Sequence, residues 1–249
     1  MLSDQDRRRT IEQFAVDDDQ VRRDHLISHV LAALSHDIPE MVRFFGGTAL
    51  SRSFLTNGRL SEDIDLIAVA PRLDVANAIT RTLARRLSRE FGRPTFTPTF
   101  AAASQVQPVT VSFPSGVSVQ LQLLPEVHYP SWPFESKNLE QRYSDCDGAV
   151  LEVPTRAAFV AWKTAAFMDR RAARDLWDLA ALADSDAFSE DAAALFTRFG
   201  PLTSIPSGSM LPVAPTEDVW RRELAHQTRL TISAQEARAA VIRSWAQVG

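Results

Sequence analysis

The chain contains little cysteine, little lysine and no long apolar run, and each of these shortages excludes or disfavours a kind of structure or site. Cys146 is the single cysteine, so an intramolecular disulfide and a metal centre built from several thiolates are both excluded. This cysteine usage suits a reducing compartment. No stretch approaches the roughly 18 consecutive apolar residues of a membrane-spanning helix, and the charged residues 1–19 do not resemble a signal peptide. We therefore predict a soluble cytoplasmic protein with no membrane partner.

Lysine is scarce because arginine supplies nearly all of the positive charge. Of the 27 basic residues, 25 are arginine, and only Lys137 and Lys163 are lysine. A position that keeps lysine in such a chain indicates a need for a compact ammonium with a tunable pKa, which a guanidinium does not offer. The net charge of −4 argues against a surface coated for non-specific nucleic-acid binding, but it is compatible with a local basic groove. Composition therefore neither supports nor excludes an RNA substrate.

The hydrophobic pattern predicts an α+β fold in two parts. Residues 1–150 alternate between helical and strand-like periods, which is typical of an α/β-type core with a mixed sheet flanked by helices. Residues 151–249 have a helical period and predict a helical domain. The helices are expected at 10–36, 74–91, from 155 onwards, 216–229 and 234–246, and the strands at 41–45, 63–69, 94–101, 106–113 and 117–124.

The strand expected at 63–69 carries two aspartates. Asp63 and Asp65 are spaced i, i+2, so on a strand they share one face. Two carboxylates that close repel each other unless a cation lies between them, and Mg²⁺ accepts one or two carboxylates while keeping sites for water and phosphate oxygens. The pair therefore predicts a divalent metal site, and Ser61, two residues earlier, shares its face if the strand begins early.

A glycine turn precedes this strand. Gly46 and Gly47 interrupt the strand expected at 41–45, and a helical pattern begins at Thr48. A glycine turn that opens a helix presents backbone N–H groups to an anion. Thr48 is expected either to cap the helix with its hydroxyl or to contact a phosphate. This turn predicts a phosphate-binding site.

The order of strand, Gly-Gly, helix and Asp-x-Asp strand resembles the nucleotidyltransferase superfamily. More closely, Gly46-Gly47-Thr48-Ala49-Leu50 followed by Ser61-Glu62-Asp63-Ile64-Asp65-Leu66 resembles the AbiEii/AbiGii toxin family, the toxins of type IV toxin–antitoxin pairs. The resemblance implies transfer of a nucleoside monophosphate from an NTP, with Mg²⁺ or Mn²⁺ as cofactor. It implies metal ligation by Asp63 and Asp65 and nucleotide contacts from Gly46, Gly47, Thr48 and Ser61. It also implies a cognate antitoxin and, as acceptor, the 3′ end of tRNA, whose modification stops translation.

Two further residues of the helical half enter through this resemblance. By spacing alone, Lys163 is a lysine at the border of an apolar stripe, and Arg171, Arg174, Asp175 and Asp178 form surface Arg-to-Asp pairs on one helix. In the toxin family, however, a lysine is followed by an Arg-Asp-x-x-Asp-Leu segment. The resemblance implies that Lys163 contacts nucleotide phosphates and that Asp178 is a base or orienting carboxylate. For Asp175 the spacing suggests a structural role instead, as the partner of Arg171.

The chain departs from the superfamily pattern after residue 117. Many nucleotidyltransferases carry a third metal-binding carboxylate on a central strand, whereas the polar face here offers Gln120 and Gln122. Glu126 follows only after Pro125. The departure leaves the number of bound metals, one or two, open. Residues 125–148 are rich in Pro, Asp and Ser and predict a long loop that covers the site or contacts a substrate.

Two histidines have a spacing that metal sites use. His25 and His29 lie at i, i+4 in a predicted helix, but no glutamate follows His25 directly and no third ligand is evident nearby. We interpret them as surface or core histidines.

Three functions remain open at this point. The first is the RNA-modifying toxin. The second is a nucleotidyltransferase for a small hydroxylated acceptor such as an aminoglycoside, which needs an acidic acceptor pocket. The third is a catalytically weak nucleotide-binding partner protein, in which Gln120 and Gln122 reflect lost metal binding. Several arginines favour RNA over the small acceptor: Arg81, Arg85, Arg86, Arg170, Arg171 and Arg174.

Overall fold

The structure, a computed structural model, describes residues 1–128 and 130–248. The chain divides into two compact units, Met1–Tyr129 with Glu135–Val153, and Pro130–Phe134 with Pro154–Gly249. None of the described helices combines the length and the apolar character needed to cross a lipid bilayer.

The first unit is built on a mixed sheet with helices. Its helices are α1 (Asp4–Phe14), α2 (Asp18–Asp37), α3 (Gly46–Ser53) and α4 (Arg72–Phe91), with short 3₁₀ turns at Pro39–Met41 and Glu126–His128. The strands are β1 (Val42–Phe45), β2 (Asp63–Ala68), β3 (Thr95–Thr97), β4 (Val109–Ser112), β5 (Ser118–Pro125), β6 (Phe134–Leu139) and β7 (Ala149–Pro154).

The strand order in the sheet is β3-β4-β5-β2-β1-β7-β6. Strand β2 pairs antiparallel with β1 and parallel with β5, so it lies inside the sheet with partners on both sides. Strand β5 has one buried and one polar face: Val119, Leu121 and Leu123 are buried, whereas Gln120 between them is exposed. The predicted α+β class and the mixed sheet are confirmed.

Residues 125–148 are not the long covering loop that we predicted. They contain β6, and Arg142 and Tyr143 are buried. Both side chains contact the buried Asp24 of α2: Arg142 Nη1 lies 3.5 Å from Asp24 Oδ1, and the Tyr143 hydroxyl donates to Asp24 Oδ2 at 2.9 Å. The prediction was wrong because polar residues that indicate a loop here satisfy a buried carboxylate from a distant helix.

A second guanidinium reaches the same aspartate. Arg52, at the end of α3, is fully buried and donates from Nη2 to Asp24 Oδ1 at 2.8 Å and from Nη1 to the Glu140 carbonyl at 2.8 Å. Burial first, and the neighbouring charge of Arg52 second, lower the pKa of Arg142 to about 10. This cluster joins α2, α3 and the segment after β6 inside the first unit.

The second unit is helical. It contains α5 (Arg156–Arg170), α6 (Ala173–Asp184), α7 (Glu190–Phe199), α8 (Glu217–Leu224) and α9 (Ala234–Val248). Four of these helices begin with a side-chain cap, in which Thr155, Ser189, Thr216 and Ser233 each accept from a backbone N–H of the first turn. Trp220 and Trp245 are among the largest buried side chains of the unit. Trp132 stacks on Trp162, with 5.7 Å between ring centroids, which explains why residues 130–134 belong to this unit.

Candidate active site

The two aspartates lie at the beginning of β2, beside the end of β1. Asp65 is paired in register with Phe45, the last residue of β1, after which the chain enters α3. Both Asp63 and Asp65 are half-buried. Because alternate residues of a strand share a face, the two carboxylates project on the same side of the sheet.

The glycine turn touches Asp65 directly. Gly46 has a φ of +78°, a conformation that glycine adopts readily. A β-carbon at this position would lie 2.0 Å from Asp65 Oδ2, so only hydrogen fits there. The N-cap residue of α3 is Phe45, whose side chain makes no capping hydrogen bond. Because the Gly46 turn contacts Asp65, the first-turn N–H groups of α3 lie beside the aspartate pair.

An arginine and a serine approach the second glycine. A β-carbon on Gly47 would lie 2.5 Å from Arg59 Nη2 and 3.0 Å from Ser61 Oγ. Strand β2 begins at Asp63, so Ser61 precedes the strand, yet its hydroxyl still faces the glycine turn. Arg59 was not among the residues predicted from the sequence, although it is 2% exposed and converges on the same turn. Its position in the connection before Ser61 was the available signal, but in an arginine-rich chain it did not stand out.

Thr48 connects the helix to the aspartate strand. Its hydroxyl donates a hydrogen bond to the backbone carbonyl of Asp63, and the residue is buried. The predicted capping role was wrong, because α3 begins at Gly46 and Thr48 is already its third residue. Thr48 instead holds the first turn of α3 against the beginning of β2.

Strand β5 carries amides next to the carboxylates. Gln120 is in register with Asp63, and Gln122 with Asp65. Gln122 Nε2 donates to the Val106 carbonyl at 2.6 Å. Glu126 follows Pro125, which pairs with Ala68 at the other end of β2, so it lies several residues beyond the aspartates. The Glu126 carboxylate contacts Arg43. The neighbouring strand therefore places no third carboxylate in register with the pair.

In the helical unit, Lys163 lies between two aspartates. Its Nζ is 3.1 Å from Asp175 Oδ1 and 2.6 Å from Asp178 Oδ2, and all three side chains are buried. The interpretation from spacing alone, a lysine at the border of an apolar stripe with its ammonium in solvent, was wrong. Asp175 also accepts from Arg170, at 2.6 Å from Nε and 2.8 Å from Nη2. Burial alone would raise the pKa of Asp175, but the charge of Lys163 and the hydrogen bonds of Arg170 hold it well below its usual range.

A turn between α5 and α6 creates this arrangement. Arg171 has a φ of 54° and ends α5, and α6 begins at Ala173. The single continuous helix implied by the predicted surface pairs is therefore wrong, and Asp175 pairs with Lys163 and Arg170 rather than with Arg171. Because the chain turns, the buried face of α6 meets α5, and its aspartates reach the lysine.

A comparison with known families decides which class these features belong to. The model of the nucleotidyl transferase AbiEii toxin of type IV toxin–antitoxin systems matches residues 29–242. The chain belongs to the AbiEii family. It is accordingly a nucleotidyltransferase, and its family is one of toxins that act in pairs with an antitoxin. The match includes the glycine turn, the aspartate pair and the Lys163 cluster.

Solved structures of low sequence identity share the fold. MenT4, a nucleotidyltransferase toxin from Mycobacterium tuberculosis H37Rv, is 21% identical, with a TM-score of 0.67 over 92% of this chain and 83% of its own. JHP933 from Helicobacter pylori is 14% identical, with a TM-score of 0.57 over 93% of this chain and 92% of its own. A search of curated proteins finds no match.

The donor atoms of this AbiEii protein suit a hard cation. Asp63 and Asp65 provide carboxylate oxygens from one face of β2, and Gln120 and Gln122 are in register with them on β5. Such oxygen donors fit Mg²⁺ or Mn²⁺, which keep water and phosphate oxygens in the rest of their coordination shell. Two carboxylates on one face of a strand fit the coordination of such an ion.

Proposed function

We propose that this AbiEii-family enzyme transfers a nucleoside monophosphate from an NTP to the 3′ end of tRNA in a Mg²⁺-dependent reaction, and thereby inhibits translation in the cytoplasm. The observation that carries the proposal is the close approach of the Gly46 turn to Asp65, which joins an anion-binding helix end to a carboxylate pair. A triphosphate with its divalent cation needs an anion-binding site for the phosphates and carboxylates for the metal.

In the part of the site that binds the NTP, negatively charged residues would bind the metal and hydrogen-bond donors would bind the phosphates. Asp63 and Asp65 would hold Mg²⁺ or Mn²⁺, and the metal, when bound, would offset negative charge on the triphosphate. The backbone N–H groups of Gly46, Gly47 and Thr48 would donate hydrogen bonds to phosphate oxygens. Because the Thr48 hydroxyl donates to the Asp63 carbonyl, we assign its nucleotide contact to the backbone N–H. Ser61 and Arg59 would add a hydroxyl and a guanidinium beside Gly47.

The reaction forms one bond and breaks one. An acceptor hydroxyl attacks the α-phosphorus in line, the bond to the β-phosphate breaks, and pyrophosphate leaves. The hydroxyl proton passes to a base, a role that the family resemblance gives to Asp178, and the resemblance gives phosphate contact to Lys163. Lys163 Nζ lies 2.6 Å from Asp178 Oδ2 in a buried contact, which suits the compact ammonium of lysine better than a guanidinium.

An RNA acceptor is supported by a basic groove in the first unit. A cavity of about 660 Å³ lies along α4, and its lining includes three arginines, Arg81, Arg85 and Arg93. Arg85 Nη2 also contacts Asp37 Oδ2 at 2.5 Å, so one acidic residue belongs to the groove. Guanidinium groups suit a phosphate backbone better than a cationic aminoglycoside.

The test supplies each labelled NTP in turn, with Mg²⁺ and total RNA, to the wild-type protein and to Asp65→Asn. We expect label in the tRNA fraction with wild type only, and release of that label by a nuclease that trims 3′ ends. An arm with aminoglycosides in place of RNA tests the small acceptor. Label on an aminoglycoside and not on RNA would replace the tRNA proposal, and no label on any acceptor would refute it.

A further inference from the structure

A second candidate metal site lies in the first unit and shares no residue with the aspartate pair. His25 and His29, one turn apart on α2, point toward Asp145 and Cys146, which follow β6. One ligand atom from each of the four residues lies within 4.8 Å of the other three. The sequence offered no third ligand near the histidines because Asp145 lies 120 residues from His25 along the chain.

The separations are close to those of a tetrahedral zinc site. His25 Nε2 lies 3.1 Å from His29 Nε2 and 3.0 Å from Asp145 Oδ2, and His29 Nε2 lies 3.6 Å from the same oxygen. With zinc–ligand bonds of about 2.0–2.3 Å, tetrahedral geometry places ligand atoms roughly 3.3–3.6 Å apart. These nitrogen and oxygen atoms, with the Cys146 sulfur within 4.8 Å of each of them, are close enough to surround one ion after side-chain rotation.

The chemistry of the ligands selects zinc over magnesium. Two imidazole nitrogens, one thiolate and one carboxylate form a mixed nitrogen, sulfur and oxygen set, whereas Mg²⁺ prefers oxygen alone. Four protein ligands would also close the coordination shell, as in structural rather than catalytic zinc sites.

The surroundings favour a cation as well. Glu90 Oε2 lies 3.6 Å from His29 Nε2, so a second carboxylate adds negative charge beside the four ligands. The Met1 ammonium, 2.9 Å from Asp145 Oδ2, would leave that oxygen when the ion binds. Aromatic rings enclose the histidines: Tyr143 packs edge-on against His25 at 5.0 Å, and Phe91 lies 5.2 Å from His29. A charged site with an apolar wall of this kind limits exchange of a bound ion with solvent.

We propose that His25, His29, Asp145 and Cys146 bind one structural Zn²⁺ ion, which fixes the segment after β6 to α2. The site is independent of the proposed nucleotidyl transfer and uses none of its residues. Binding replaces the proton of the Cys146 thiol by the metal, so one proton is released at that sulfur.

The test uses the full chain purified in excess Mg²⁺, so that the oxygen site is occupied, followed by dialysis and zinc analysis. We expect about one zinc per chain in wild type and a loss of affinity of more than about 100-fold in His29→Ala, because even outer-shell partners of zinc sites are worth 10–100-fold. His226→Ala, which removes an exposed imidazole elsewhere, is the matched control and should keep the zinc.

Cobalt substitution tests the thiolate without relying on stability. Co²⁺ in the wild-type protein should give a sulfur-to-metal charge-transfer band and tetrahedral d–d absorption, and Cys146→Ser should lose the charge-transfer band. Retention of zinc by wild type at no more than the His29→Ala level would overturn the site. An unchanged Co²⁺ spectrum in Cys146→Ser would overturn the four-ligand assignment, even if His29→Ala fails to fold.

Discussion

Gly46 and Asp65 are so close that a β-carbon on the glycine would lie 2.0 Å from the aspartate Oδ2. The contact unites the glycine turn and the aspartate strand into one site. It also makes Gly46 a position where the smallest substitution reports on the geometry of the carboxylate.

Gly46→Ala should therefore reduce transfer activity strongly. The methyl group displaces Asp65, and misplacement of a catalytic group by about 1 Å can cost roughly 100-fold in rate. The positive φ adds a strain of about 1–2 kcal/mol in the free energy of unfolding. Gly148→Ala is the matched control, because a β-carbon there would meet none of the described atoms within 4 Å. Equal activity of the two variants would show that nucleotidyl transfer does not depend on the observed position of Asp65.

Removal of the Lys163 ammonium should destabilise the protein. In Lys163→Ala, Asp175 and Asp178 stay buried without their shared cation, and breaking a buried ion pair typically costs about 3–5 kcal/mol. The measurement is the free energy of unfolding in urea. Lys137→Ala removes the other lysine, which lies 4.5 Å from the Phe54 ring, and should cost no more than about 1 kcal/mol. Similar costs for both lysines would contradict the buried cluster.

Asp24→Asn should be among the most destabilising single substitutions in the first unit. Arg52 and Arg142 would then share a buried space without their carboxylate, and we expect a loss of about 3–5 kcal/mol in the free energy of unfolding. Asp19→Asn, exposed on the same helix, is the control and should change stability by about 0.5 kcal/mol or less. A loss below about 1 kcal/mol in Asp24→Asn would mean that the two arginines find other partners.

Asp6 should make stability depend on pH in the acid range. Hydrogen bonds from the Ser144 hydroxyl, at 2.6 Å, and from its backbone N–H lower the pKa of Asp6 to about 2. Since the folded pKa lies below the unfolded value of about 3.9, the stabilisation is complete above pH 4 and is lost as the pH falls through 2. The difference in the free energy of unfolding between wild type and Asp6→Asn should therefore decrease by roughly 2 kcal/mol as the pH falls over that range.

The control for this prediction is Asp4→Asn, which removes one exposed carboxylate from the same helix. Thermal unfolding between pH 2 and 5 is the measurement. A difference between wild type and Asp6→Asn that stays constant with pH would contradict the assignment.

The sequence was sufficient where local patterns decide the structure. Asp63 and Asp65 were predicted on one face of a strand, and β2 begins at Asp63. The alternation of Val119, Gln120 and Leu121 identified β5 and its polar face, because a strand in a sheet sorts its side chains by burial. The last two helices were found within a few residues of their observed bounds, since their apolar periods and polar caps are local signals.

The sequence was insufficient where distant residues decide. Arg171 ends a helix without glycine or proline, and arginine and alanine are good helix formers, so local propensity does not predict the turn. Arg142 and Tyr143 resemble loop residues until Asp24 is placed beside them. The burial of Lys163 depends on two aspartates that the same turn brings back to α5.

The most direct test of the central claim measures whether Mg²⁺ strengthens NTP binding through Asp63 and Asp65. Titration calorimetry with and without Mg²⁺ would compare wild type, Asp63→Asn and Asp65→Asn, with Asp74→Asn, exposed on α4, as the control. We predict that Mg²⁺ tightens NTP binding at least roughly tenfold, about 1.4 kcal/mol, in wild type and Asp74→Asn and not in the other two. The same Mg²⁺ dependence in all four proteins would contradict the account.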